Sequence, residues 1–339
     1  MTDTGGHMRK SSLGLCLALA VLAAVAAGAL VGCSSDSKVT LVAYSTPREA
    51  YGELIPAFQK TDAGKAVDFT QSYGASGEQA RAVLAGLKAD IVAFSLEPDM
   101  TKLVQEGLVA GDWDANPYKG MVTDSIVVFV VRKGNPLGIT TWDDLLKPGV
   151  EVIEPNPFTS GGAKWNIMAA YGAQIAEGRT PAEADAFLAQ LFKHVPVQDK
   201  SAREALQTFV GGKGDVMLAY ENEAITAQQK GEDIDYVMPA ETILIENPVA
   251  VTKASPVAAK AKAFVDFLYT PQAQKIFAAR GYRPVLKQLV DPTVYPTPAK
   301  LFTIADLGGW SEVNKTFFDP EGSVMSRIEE GLGISVQQK

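Results

Sequence analysis

Four times along this chain a short run of β-branched and aromatic residues stops at a Ser, Thr, Gly or Pro cluster and resumes as a helical pattern. Val39–Tyr44 stops at Ser45-Thr46-Pro47, and Ala66–Ser72 at Gly74-Ala75-Ser76-Gly77. Val150–Ile153 passes Pro155 and Pro157 to reach Ser160-Gly161-Gly162, and Val195–Val197 leads to Asp199-Lys200-Ser201-Ala202. Alternation of this kind predicts an α/β fold. Ligands in such folds collect beyond the carboxyl ends of the strands, where all four junctions fall. Each junction is also a helix mouth, with backbone N–H groups that lack partners and a partial positive charge. Glycine there lets the backbone close on a ligand without a Cβ in the way, which suits an anion. Ordinary capping explains any one junction by itself. The repetition is what argues for a shared site.

The rest of the chain fits the same pattern. Pro47 suits a first helical turn, with Ser45 or Thr46 as its cap and the helix running to Phe58. A helix after Gly77 carries Ala80, Val83, Leu84 and Leu87 on one face. Asp90–Phe94 reads as a buried strand and Asp99–Gly107 as a short helix. Ser125–Val131 is continuously apolar, as expected of a strand covered on both faces. Trp142–Leu146, Trp165–Tyr171, Pro181–Lys193, Ala258–Leu268 and Pro271–Ala279 read as helices. Asp215–Tyr220, Tyr236–Pro239 and Ile243–Ile245 read as strands, and the tail from Thr303 as polar and mostly helical.

The N-terminus is different. Met8-Arg9-Lys10 precedes an almost wholly apolar stretch, Leu13 to Val31, which ends in Leu30-Val31-Gly32-Cys33. A basic start, an apolar core and small residues at the end make a secretory signal. The ending resembles a bacterial lipobox, in which cleavage leaves Cys33 N-terminal and lipidated; the alternative is a retained membrane helix. Both place the remainder outside the cytoplasm. Cys16 and Cys33 are the chain's two cysteines, so removal of residues 1–32 leaves no disulfide partner and no cysteine-based metal site. The leader holds two basic residues and one acidic, so the chain beyond it is one unit more acidic than the −8 of the whole. Such a balance argues against nucleic acid as a partner.

Four mouths offering N–H and hydroxyl groups would make a pocket of donors alone. A tetrahedral dianion without a proton is satisfied by donors; a ligand that keeps a proton needs an acceptor as well, which Asp199 or Glu49 would supply if turned inward. A serine hydrolase is the rival class. It would need a base near Ser160 or Ser76, and His194 is the one histidine beyond the leader. Gly74-Ala75-Ser76-Gly77-Glu78 lacks the last glycine of a nucleophile elbow. Gly211-Gly212-Lys213-Gly214 lacks the spacing of a phosphate loop and reads as a turn.

Longer stretches carry a resemblance. Gln71-Ser72 with Gly74-Ala75-Ser76-Gly77, Val131–Pro136, Lys147–Val150, Pro155-Asn156-Pro157 with Ser160–Asn166, Glu221–Ala224, Tyr282-Arg283-Pro284 and Leu301–Ile304 with Gly308-Gly309-Trp310 are similar to the periplasmic sulfate-binding proteins of sulfate/thiosulfate ABC importers. That resemblance covers roughly residues 39–320. It implies a type II periplasmic binding protein, with two α/β lobes and the ligand in the cleft between them. It implies a dehydrated sulfate held by uncharged groups: the Ser160 hydroxyl and the backbone N–H groups of Gly161, Gly162, Ser76, Ala202 and Ser45. Arg48 and Arg203 would stand behind these and act through peptide dipoles. Tyr220 occupies a position where the family carries a Trp whose indole donates to the anion. Here it is either a replacement donor or a core aromatic.

The resemblance also implies a monomer without cofactor, metal or catalytic residues, delivering its anion to permease subunits. Thiosulfate, molybdate and phosphate are the neighbouring alternatives. The expected organisation is a signal peptide over 1–32, a tether over 33–38, lobe I over 39–120 and 244–305, lobe II over 121–243, and a C-terminal helical segment over 306–339.

Overall fold

The structure, a computed structural model, describes residues 38–334 and 336. The leader, with Cys33 and the expected lipid attachment, lies outside the described residues.

The strands are β1 (Lys38–Tyr44), β2 (Asp68–Gly74), β3 (Ile91–Ala93), β4 (Met121–Arg132), β5 (Val152–Ile153), β6 (Val216–Tyr220), β7 (Ile234–Val237), β8 (Glu241–Val251), β9 (Arg283–Pro284) and β10 (Lys300–Phe302). They form one curled sheet in the order β2-β1-β3-β8-β4-β6-β5, with β10 on β8 and both β7 and β9 on β4. β1 runs parallel to β2 and β3, and β5 parallel to β6. The carboxyl ends within each group therefore open on one side.

Two long strands join the groups. β4 and β8 pair antiparallel where Ser125 faces Ile245 and Ile126 faces Leu244. Beyond that crossing β8 continues to β3, with Ala93 opposite Val249, while β4 continues to β6, with Val127 opposite Tyr220. The result is two α/β lobes spanned by the same two strands. Ten of the twelve residues of β4 are buried, as the unbroken apolar run predicts.

Each lobe has its own core. In one, Phe58 meets Phe264 edge-on at 5.2 Å and Phe69 lies 4.8 Å from Phe264, beneath the helix Arg48–Gln59. In the other, Phe129 meets Trp142 at 4.8 Å and Trp165 meets Trp310 at 4.7 Å, both near perpendicular. Such edge-to-face pairs add about 0.5–1.5 kcal/mol to the burial of the rings. Trp310 belongs to the helix Gly309–Phe317, so the C-terminal segment braces the helix that carries Trp165. β10 pairs with Glu241–Ile243 and Ile304 joins the Trp165 core, so residues 300–304 pack with the second group of elements.

Several elements differ from expectation. Val195–Val197 is not a strand. Pro196 has no N–H to offer a ladder, and the segment is held instead by Val152 donating to His194 O at 2.8 Å. The helix opened by Ser76 stops at Leu84, which leaves Leu87 on the surface. The next helix starts earlier, over Glu97–Gln105, because Pro98 fits its first turn. Neither Ser45 nor Thr46 caps the helix Arg48–Gln59, whose N-cap is Pro47 with no side-chain bond.

Candidate functional site

All four junctions meet at one small cavity where the carboxyl ends of the two strand groups face each other. Tyr44, Ser45 and Thr46 line it from the end of β1, and Gly74, Ala75 and Ser76 from the end of β2. Ser95 enters from the end of β3, and Tyr220 from the end of β6. Ser160, Gly161 and Gly162 come from the mouth of the helix Gly161–Ala176, and Ser201 and Ala202 from that of Ala202–Val210. About 10 Å³ is open to the centre of a water-sized sphere. The oxygen centres of one tetrahedral oxyanion span no more than that, whereas an organic molecule needs a larger pocket.

None of these thirteen residues carries a formal charge. Local geometry explains why they offer donors. Ser160 is the N-cap of its helix, and its Oγ accepts from Ala163 N at 3.3 Å. A hydroxyl that accepts in this way keeps its own hydrogen for another partner. The first turn of the helix leaves the N–H groups of Gly161 and Gly162 without intrahelical acceptors. Ser201 caps its helix similarly, accepting from Glu204 N at 3.2 Å, so the N–H of Ala202 stands first at that mouth.

Ser76 works the other way round. Its hydroxyl donates to Asp99 Oδ2 at 2.7 Å and accepts from Ser95 N at 3.0 Å. The side chain is thus occupied, and the backbone N–H is what Ser76 has left to offer the cavity. Glycine is required by contact at 161: a Cβ there would lie 2.7 Å from Ser95 Oγ and 2.8 Å from Leu96 Cδ2.

Tyr220 is both a core aromatic and a cavity wall. Its ring is buried, and its hydroxyl lies 2.6 Å from Ser95 Oγ. Burial pushes the phenol well above its ordinary pKa, so the proton stays on. Ser95 is the lining residue most conspicuously absent from the sequence reading. It sits at a further strand-to-helix junction, Phe94-Ser95-Leu96-Glu97-Pro98, with the same hydroxyl-then-proline order as Ser45-Thr46-Pro47. The late helix start expected at Asp99 obscured it.

The charged residues stand behind the lining. Arg203 donates to Thr46 O at 3.2 Å, so its charge reaches the cavity wall through a peptide group. It also forms a bidentate pair with Glu49, at 2.6 and 2.7 Å, and Lys230 bonds the same carboxylate. Burial alone would raise Glu49; the bonds to Arg203 and Lys230 outweigh it and hold the carboxyl at about 2. Arg48 is not brought to the cavity. It is exposed, with its guanidinium 4.9 Å over the Tyr73 ring. Neither Glu49 nor Asp199 turns inward. Glu223 is fully buried near Arg203, and burial, partly offset by that arginine, pushes its carboxyl to about 7; it too lies outside the lining.

The histidine that the hydrolase alternative would use does not stand beside Ser160 or Ser76. His194 Nδ1 lies 2.9 Å from Val150 O and is not at the cavity, and Gly212 takes a left-handed turn before β6. Asp143 and Asp144 are tied to Arg179 and to a capping box, and Glu221 to Arg283. Among the described residues no group of three or more His, Cys, Asp and Glu is placed to hold a metal.

Residues 39–283 match the family model of bacterial extracellular solute-binding proteins. A sulfate-binding protein of Synechococcus elongatus is 43% identical over 312 residues, 89% of each chain. A thiosulfate-binding protein of Escherichia coli is 35% identical over 326 residues, 91% of this chain and 96% of that one. The solved structure of the sulfate-binding protein SubI from Mycobacterium tuberculosis superimposes with a TM-score of 0.79 at 47% identity, covering 84% of this chain and 100% of that one. The chain therefore belongs to the bacterial extracellular solute-binding proteins, and among them to the family of the sulfate-binding proteins.

Proposed function

We propose that this protein is an extracytoplasmic receptor that binds sulfate in the cleft between its lobes and delivers it to an ABC permease. The observation that carries the reading is the cavity wall: helix mouths and hydroxyls, with no charged side chain in the lining. Its donors are the Ser160 hydroxyl, the backbone N–H groups of Ser45, Ser76, Gly161, Gly162 and Ala202, and a hydroxyl at Tyr220. A dianion without a proton is satisfied by donors. A proton-bearing phosphate would face no carboxylate to accept from it, since Glu49 is paired with Arg203 and Lys230 and Asp199 lies elsewhere.

Arg203 supports the wall from behind through Thr46 O, and its pairing with Glu49 keeps the region close to neutral. The chemistry is binding alone. The Leu-Val-Gly-Cys ending supports a lipid anchor at Cys33, which would tether the receptor to the membrane that holds the permease. The lobes we read as residues 39–120 with 244–299, and 121–243 with the segment from 300 onward, as the pairing of β10 suggests.

Thiosulfate is the second reading, favoured by the thiosulfate-binding relative. Titration calorimetry of residues 34–339 in sulfate-free buffer separates the candidates. Sulfate should bind at micromolar Kd or tighter, about −8 kcal/mol or better, with phosphate far weaker. Absence of binding by sulfate and thiosulfate alike would end the receptor reading.

Ser160→Ala should raise the sulfate Kd by the worth of one hydrogen bond to a charged group, about 1–3 kcal/mol. It also removes a helix cap, a cost of about 0.5–2 kcal/mol in stability, which thermal melting reads separately. Unchanged affinity would remove Ser160 from the site.

A further inference from the structure

We infer that Ser95 and Tyr220 act as one ligand-binding unit, two hydroxyls that present a single O–H to the anion. The inference rests on the sulfate reading and adds to it a residue, Ser95, and a rule for how two residues share one role. Both side chains line the cavity and both are buried to within one per cent. Their oxygens are 2.6 Å apart, close enough that one hydroxyl donates to the other.

The pair holds two hydrogens and spends one internally. If Tyr220 donates to Ser95, the serine hydrogen is left over; if Ser95 donates to Tyr220, the phenol hydrogen is. Neighbouring acceptors already carry bonds of their own. The carbonyl of Ser95 takes Trp165 Nε1 and Asn247 Nδ2, each at 2.8 Å, which fills both lone pairs. Asn247 Oδ1 takes Thr123 Oγ1 at 3.2 Å, and the same side chain lies beside the Tyr220 hydroxyl. Asp99 Oδ2 takes the Ser76 hydroxyl. Both hydroxyls line the cavity, so the remaining hydrogen is within reach of whatever fills it.

The unit is also rigid. Ser95 is fixed through its N–H to Ser76 and through its carbonyl to Trp165 and Asn247, so its hydroxyl has little freedom to follow a displaced partner. It bridges the cleft, since Ser95 follows β3 and Tyr220 ends β6. An indole in place of Tyr220 would donate from one fixed atom. The hydroxyl pair donates from either oxygen, which makes the two residues substitutes for each other.

That substitution is what a double-mutant cycle detects. Sulfate Kd is measured by calorimetry for the wild type, Ser95→Ala, Tyr220→Phe and the double variant, with melting curves for each. Either hydroxyl alone still has its hydrogen for the anion, so each single variant should lose less than about threefold in affinity. The double variant loses the donor and should weaken at least about tenfold, beyond the product of the two singles, as expected for one hydrogen bond to a charged group.

A double effect equal to the product, or a double variant that binds like the wild type, would overturn the shared role while leaving the receptor reading intact. Failure of the wild type to bind sulfate would overturn both. Should the double variant melt below the working temperature, Ser95→Cys with Tyr220→Phe keeps the volume, replaces the hydroxyl by a weak donor, and carries the same comparison.

Discussion

Gly161→Ala is expected to cut sulfate affinity by about two to four orders of magnitude. The added Cβ would lie 2.7 Å from Ser95 Oγ and 2.8 Å from both Ser95 Cβ and Leu96 Cδ2. Ser95 has little room to give way, since Ser76, Trp165 and Asn247 pin its backbone. The helix mouth must retreat instead, and the donors of Ser160, Gly161 and Gly162 retreat with it. Loss of two hydrogen bonds to a charged group, at about 1.5–3 kcal/mol each, gives about 3–6 kcal/mol, or the stated range in Kd.

Calorimetry on Gly161→Ala measures this directly, with Gly162→Ala as a milder comparison. A Cβ at 162 would stand 3.2 Å from Ala202 Cβ and 3.4 Å from Ser160 Oγ, contacts that a small shift relieves. Alanine favours helix more than glycine does, so a fall in affinity without a fall in melting temperature would place the effect at the cavity. A wild-type Kd for Gly161→Ala would mean that this helix mouth does not hold the anion.

The largest stability effect is expected away from the cavity, at Arg283. Its guanidinium makes two bonds to Glu221, at 2.7 and 2.9 Å, and a third to Pro296 O at 2.9 Å. Both side chains of the pair are almost fully buried. Arg283→Met leaves the carboxylate without its counter-charge in a dry setting, at a cost of about 3–5 kcal/mol near neutral pH. Denaturant unfolding measures it.

The pH dependence has a definite sign. Burial pushes the Glu221 carboxyl above its ordinary range even with Arg283 beside it, and without the arginine it rises further. A carboxyl raised in the folded state favours folding below its unfolded pKa and loses that contribution as pH rises through the folded value. The deficit of Arg283→Met should therefore shrink as pH falls toward the ordinary carboxylate range. A deficit that stays constant or grows on acidification would show that Glu221 is not the group left exposed to the loss.

Much of this arrangement was legible in the residues because capping is local. A cap links a side chain to an N–H three residues on, so Ser160 to Ala163 and Ser201 to Glu204 can be read from neighbours in sequence. Strand content, too, is written within a few residues, as the buried run of β4 shows. Local cues failed where a non-local demand replaced them. Thr46 was free to be a cap by its sequence, but its hydroxyl pairs with Tyr282, 236 positions away. The resemblance, by contrast, put Arg48 behind the cavity wall, and its guanidinium stands over the ring of Tyr73.

The order of residues alone thus specified the α/β alternation, the helix mouths with their donors, and through its long stretches of resemblance the family to which the chain belongs. Which donors meet was left to the folded chain. Ser95 and Tyr220 lie 125 positions apart, and Arg203 and Glu49 lie 154 apart. Both pairs come together because β4 and β8 cross between the lobes and turn the strand ends toward one cavity. No pattern within a helical turn or a strand encodes that crossing, since the burial that drives it is summed over both lobes at once.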